Sequence, residues 1–284
     1  MPVPKFTVLP SSQLAMTGLR PPKTYTKFAD LKTAILAKAE QLQTRDVTQY
    51  LSYKHVSAET FSYIETHRDA LGGKVALTYF PDISTMLVKV PTPEHESVHT
   101  NVAEEVNLQC RSMRITRDEF LSLGATKYVG PTASAKEADA SWINPTLRPQ
   151  FDWPLLVIEA GVSESMPRLR QDFAWWISHS GGQVHIVLVI KVTRTTKTVV
   201  LEKYIPKQAV YPRTRARAAL PPVYVPDRVS ITTVDHGVSP PTVEGDRVIL
   251  EFERVIGRPP VPPERDIDLT PAILIDATRF VFRR

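Results

Sequence analysis

The run Val184-His185-Ile186-Val187-Leu188-Val189-Ile190-Lys191-Val192 constrains the fold more than any other stretch of the chain. It is dominated by β-branched residues and is far shorter than the roughly 20 apolar residues of a membrane span, so it reads as a strand. A second compact run, Leu155-Leu156-Val157-Ile158, follows Pro154 and suits a strand covered on both faces. Between them, residues 163–178 read as a helix. Ser163 and Ser165 are candidate N-caps, Pro167 fits the first turn, and Leu169, Phe173 and Trp176 share a face. Gly181-Gly182 ends it. A chain built around such strands has to bury a sheet.

The remaining pattern extends that sheet. Residues 28–43 and 48–68 read as helical, and Gly72-Gly73 makes a turn. Residues 74–80 and 85–90, separated by Pro81-Asp82, suggest a hairpin. Val98, Val102, Val106 and Cys110 recur every four residues, the stripe of a helix docked on a sheet. Residues 126–129 and 135–142 fit two more short strands, and 198–204 fits a neighbour for the 184–192 strand. The order implies an α/β or α+β sandwich with one mixed sheet.

Proline marks what lies outside this core. The 284 residues contain 25 Pro against 11 Gly. Five prolines fall in the first 25 residues, and residues 206–263 read as a stiff, basic excursion in which only 247–255 looks like a strand. The expected organisation is a helical N-terminal extension over 1–70, a core over 71–205, and a proline-rich extension over 206–284 that adds one or two strands. With 42% hydrophobic and 23% charged residues, a wholly disordered, collagen-like or coiled-coil chain is excluded. The lone Cys110 excludes a disulfide-stapled or cysteine-rich zinc module and points to an intracellular, reducing compartment. No segment reads as a signal peptide or membrane span. A net charge of +5 permits a polyanionic partner.

No phosphate-cradling P-loop, GxGxxG turn, GxSxG elbow, HExxH pair or kinase signature occurs. What remains is acidic residues near strand and helix ends. Glu159 ends the 155–158 run, where a buried carboxylate needs a metal, a base, a helix N-terminus or water. Asp139 lies in the strand-like segment 135–142. Two carboxylates on adjacent strands can hold one hard divalent cation such as Mg²⁺.

Asp139, the stretch Trp153-Pro154-Leu155-Leu156-Val157-Ile158-Glu159-Ala160-Gly161, Ser163-Glu164-Ser165, Leu169-Arg170-Gln171-Asp172, Trp175-Trp176 and the strand from Val184 together resemble the PD-(D/E)XK nuclease superfamily. The segment Val90-Pro91-Thr92-Pro93-Glu94-His95-Glu96 is similar to an uncharacterised fungal branch related to bacterial proteins provisionally classed as restriction endonucleases. The resemblance spans about residues 75–204, with a weaker echo at 252–268. It implies a restriction-endonuclease-like mixed central sheet flanked by helices, and Mg²⁺- or Mn²⁺-dependent hydrolysis of DNA or RNA phosphodiesters. By the same resemblance Asp139 and Glu159 are metal ligands and Glu96 is a supporting acid. The superfamily's lysine is Gly161 here. Arg168 or Arg170 on the following helix would supply the cation, with Lys136 and Lys191 less convincing; an arginine can stabilise phosphate charge but cannot act as a base.

The alternative is a catalytically degenerate nuclease-fold protein that serves as a nucleic-acid-binding or protein-interaction scaffold. Plainer readings stand beside each residue. Asp139 and Glu159 could pair with Arg168; Glu96 could favour a helix dipole; His95 could cap or pack; Arg168, Arg170 and Asp172 could be solvated charges with an Arg168–Asp172 pair. One of Trp175 and Trp176 is expected in the core and the other at its margin. His179 and His185 read as structural and Cys110 as a buried hydrophobe. Arg213, Arg215 and Arg217 would bind phosphates of a nucleic acid or solubilise the loop, and the proline-rich extensions could hold a second copy or another protein.

Overall fold

A computed structural model describes residues 6–149, 152–162, 166–210 and 221–282. The N-terminal part runs α1 (Ser11–Leu14), β1 (Lys23–Thr24), α2 (Phe28–Thr44), β2 (Tyr50–Lys54), α3 (Ala58–Thr66), β3 (Ala76–Phe80) and β4 (Thr85–Lys89). The middle runs α4 (Pro93–Ser112), β5 (Leu121–Ser122), β6 (Lys127–Val129), β7 (Ala135–Glu137), β8 (Ala140–Ile143), β9 (Leu156–Val162), α5 (Met166–His179), β10 (Ile186–Thr193) and β11 (Thr198–Gln208). The C-terminal part adds β12 (Tyr224–Asp235), β13 (Thr242–Gly245), β14 (Val248–Leu250), α6 (Phe252–Ile256), β15 (Ile267–Leu269) and α7 (Pro271–Thr278). This is a mixed α+β protein, with seven α-helices among the described residues.

The strands build two large sheets and a small pair rather than the single sheet expected. A seven-stranded sheet has the order β13-β12-β11-β10-β9-β8-β5, and a six-stranded one β1-β2-β4-β3-β7-β6. In the first, β9 and β10 are parallel and the other pairings antiparallel. A parallel pair needs a long crossover, which α5 provides.

Strand periodicity then assigns faces. Leu156, Ile158, Ala160 and Val162 of β9 pack with Val98, Val102, Val106 and Cys110 of α4, so the four-residue stripe is the docked face expected. Val157 of β9 packs on the opposite face with Leu169, Phe173 and Trp176 of α5. By the two-residue alternation, Glu159 and Gly161 share the α5 face. The helix ends at Gly181 and Gly182, both at positive φ, where added Cβ atoms would meet Phe6 and Tyr224 within 3 Å. A third core joins α2 and α3 to the six-stranded sheet through Leu31, Ile35, Phe61, Ile64, Leu77, Met86 and Val88.

Three sequence expectations change. Within 48–68, β2 precedes a shorter helix whose N-cap Ser57 accepts from the Thr60 amide. Residues 135–142 are two strands in different sheets, because Ala138 and Asp139 carry the chain from β7 to β8. Beyond residue 206, Val248–Leu250 is a strand but Phe252 already begins α6, and the twelve-residue β12 was not foreseen. Its alternation Val229-Ser230-Ile231-Thr232-Thr233-Val234 is too polar to resemble the continuous runs of β9 and β10. No helix among the described residues is long and apolar enough to cross a membrane.

Ile190 in β10 is fully buried, so Ile190→Ala is expected to lose about 2–5 kcal/mol. Leu19→Ala, at an 80% exposed position, should stay within about 0.5 kcal/mol. Urea unfolding midpoints of the two variants check this pair.

Candidate functional site

The acid centre forms where the two large sheets meet. Asp139, at the crossing from β7 to β8, accepts the backbone N–H of Ala160 on Oδ2 at 2.7 Å, which ties the crossing to β9. The same oxygen accepts from Lys89 Nζ at 2.7 Å. His95 Nε2 lies 3.0 Å from it, a charge contact whose alignment falls short of a hydrogen bond. Glu159 accepts from the indole N–H of Trp176 at 2.6 Å on Oε1. Lys136 Nζ stands 3.2 Å from that oxygen, and Lys89 Nζ 3.8 Å from Glu159 Oε2.

A third carboxylate extends the network. Asp172 of α5 accepts from Arg168 at 2.7 Å and from the Tyr50 hydroxyl at 2.5 Å, with Lys136 Nζ 3.6 Å away. Gln49 stitches the sheets beside it, donating to the Val90 carbonyl at 3.1 Å and accepting the Val162 N–H at 2.8 Å. Three carboxylates, Asp139, Glu159 and Asp172, thus face three cations, Lys89, Lys136 and Arg168, and all six side chains are at most 5% exposed. Charges this deep are tolerable only when paired and hydrogen-bonded.

The electrostatics distinguish the carboxylates. Burial pushes Asp139 up, but His95 and Lys89 outweigh it and hold the group well below the usual carboxylate range. For Glu159 burial prevails over Lys136, and Asp139 adds to it, so its pKa is raised and it is the carboxylate of the pair that takes a proton first. Burial would depress Lys136, yet Asp172 and Glu159 raise it. Burial would lower His95, yet the nearby charge of Asp139 prevails and raises it.

Of the residues proposed from sequence, Asp139 and Glu159 come together, bridged by Lys89. Glu96 does not join them: it is 42% exposed, in the first turn of α4, 3.5 Å from His95 Nδ1 and 3.7 Å from Lys74. His95 stands between Glu96 and Asp139, so it is a charged-group partner as well as a packed residue. The Arg168–Asp172 pair forms as read, but buried rather than solvated. Arg170 points elsewhere, toward Glu202 at 3.5 Å. Trp175 and Trp176 are both buried, donating to Ser134 and Glu159 respectively, so neither is marginal. Cys110 is buried, with a thiol pKa pushed up to about 12. Arg213, Arg215, Arg217, Ser163 and Ser165 lie outside the described residues.

Lys89, Gln49 and Tyr50 escaped the sequence reading, and Lys136 ranked low in it. Their one signal is polarity at strand positions that are otherwise apolar, as in Met86-Leu87-Val88-Lys89-Val90. At Gly161 an added Cβ would meet Leu169 Cδ2 at 2.7 Å, so any longer residue there requires Leu169 to shift.

A magnesium ion prefers oxygen ligands, keeps several waters and dehydrates reluctantly. Here Asp139 Oδ2 accepts from Ala160 and Lys89 with His95 against it, Glu159 is 1% exposed, and cations already stand beside both carboxylates. Among the described residues no group of three or more His, Cys, Asp or Glu side chains is arranged to hold a metal ion. The donor set in this arrangement does not fit magnesium. A cleft of about 640 Å³ opens beside Asp139, Lys89 and His95, lined also by Arg68, His99 and Glu137; Glu159 is not in its wall.

No family model and no curated protein sequence matches the chain. Among solved structures, it is similar to a provisionally named nuclease belonging to DUF820 from Anabaena variabilis ATCC 29413, at 11% identity and a TM-score of 0.33, over 51% of this chain and 84% of that one.

Acid should attack this centre through Asp172. Burial raises its pKa, but Arg168 and Lys136 prevail and hold it at about 2 against an ordinary 3.8. A depressed carboxylate stabilises the fold fully above its unfolded pKa, and that contribution is lost as pH falls through the folded one. Stability should therefore drop between pH 4 and 2. Asp172→Asn should remove that part of the drop while costing about 3–5 kcal/mol at pH 7, since it takes away the buried carboxylate that Arg168 and Lys136 share. Denaturant titrations across pH check both.

Proposed function

We propose that this chain is a PD-(D/E)XK-like protein whose acid centre is a structural ion network, and that it acts as a binding scaffold for nucleic acid rather than as a metal-dependent hydrolase. One observation carries the reading. Lys89 Nζ lies 2.7 Å from Asp139 and 3.8 Å from Glu159, so a tethered cation already joins the two carboxylates that the resemblance assigns to a metal. Burial of Glu159 and the crowding of Gly161 by Leu169 support it further: a scissile phosphate and its water would have to reach a side chain sealed under α5. The net charge of +5 favours a polyanionic partner.

The proposed nuclease-like core remains residues 71–205, of the fungal-branch type. Gln49 and Tyr50 complete its ion network from the N-terminal extension, which makes that extension part of the working unit. Hydrolysis with Mg²⁺ or Mn²⁺ is the second reading. In its favour, Lys136 stands 3.2 Å from Glu159, a placement suited to the work of the absent motif lysine.

The two readings separate in a paired assay. Single- and double-stranded DNA and RNA are incubated with Mg²⁺ or Mn²⁺, and Tm is followed against metal concentration, for wild type and Glu159→Ala. The scaffold reading expects salt-sensitive oligonucleotide binding, no cleavage above the Glu159→Ala background, and no metal-dependent rise in Tm. A bound metal would raise stability by about 2.7 kcal/mol at a concentration 100 times its Kd. Such a rise in wild type alone, with cleavage lost in Glu159→Ala, would establish the hydrolase instead.

A further inference from the structure

Arg170 is left without a role in the acid centre, and its surroundings suggest one of its own. Glu202 of β11 is 2% exposed, yet two guanidinium groups converge on its Oε1: Arg228 from β12 at 3.0 Å and Arg170 from α5 at 3.5 Å. The Tyr204 hydroxyl donates to the other oxygen. Both arginines are more than 40% exposed, and each guanidinium carries five N–H donors, so most of that capacity is turned outward. Asp227, the other nearby acid, is matched by Lys207 at 3.3 Å. Three cations against two carboxylates leave one positive charge in excess.

The groove beside this cluster holds about 600 Å³, with apolar wall from Phe173, Val225 and Pro226. A pair of arginines and an apolar wall are complementary to a molecule with an anionic head and a flat apolar body. We infer that this groove binds a mononucleotide-sized phosphate monoester, with Arg170 and Arg228 holding the phosphate and Phe173, Val225 and Pro226 against the body. Arginine suits this task because its planar fork matches phosphate oxygens, and Glu202 holds both forks in place from beneath.

The site uses none of Asp139, Glu159 or Lys89, so it stands independently of the reading of the acid centre. Isothermal titration of the full chain with 5′-AMP, inorganic phosphate and adenosine tests it. Saturable AMP binding is expected, at least tenfold tighter than either fragment, and weakened about tenfold or more in Arg228→Gln and in Arg170→Gln. Because those changes also touch Glu202, Val225→Ser provides a variant in the apolar wall that leaves the ion cluster intact, and it should weaken AMP while sparing phosphate. Folding of every variant is confirmed by its own Tm. Absence of saturable AMP binding, affinity for phosphate equal to that for AMP, or AMP affinity unchanged in folded Arg170→Gln/Arg228→Gln would each overturn the assignment.

Discussion

The mutual neutralisation of three buried carboxylates by three buried cations holds the two large sheets in their relation. Lys89 and Lys136 belong to the six-stranded sheet, Glu159 to the seven-stranded one, Asp139 to the crossing between them, and Arg168 and Asp172 to α5. The partners are spread over β4, β7, the crossing, β9 and α5, so the network exists only when those elements have docked. Removing one member leaves a charge stranded in a dry interior, whereas the complete set adds little beyond what well-packed apolar residues would. Its contribution is therefore one of specificity. It fixes which strand of one sheet faces which strand of the other.

That constraint also sets the chemistry within reach. The α5 face of β9 is where the resemblance locates an acid and a lysine, and both positions are spoken for. Trp176 and Lys136 occupy Glu159, and Leu169 fills the space above Gly161. A polar cleft survives on the Asp139 side, next to Lys89 and His95. Asp139, Lys89 and His95 line that cleft, while Glu159 stays outside its wall.

The sequence revealed elements whose signal is local. The runs 155–158 and 184–192, the stripe Val98-Val102-Val106-Cys110 and the helix before Gly181-Gly182 all appear where their periodicity puts them, because each buries a face large enough to write itself into spacing. Pairing between distant strands leaves no such mark. Nothing in residues 135–142 announces that Asp139 changes sheets, and β12, with polar residues alternating along one edge of the core, looks like loop. The acid centre was half legible. Asp139 and Glu159 stand out as carboxylates in apolar company, but their counter-ions come from Lys89, 50 residues before Asp139, and from Lys136 in a neighbouring strand. Only the tertiary structure brings those together.

Lys89 as the resident cation of the centre is the claim on which the functional reading turns. A crystal of the full chain soaked in Mn²⁺ and measured at the manganese absorption edge examines it directly. The expected map has no anomalous peak between Asp139 and Glu159, with the Lys89 ammonium in contact with Asp139. A manganese peak bonded to both carboxylates, with Lys89 swung out into the cleft, would contradict it.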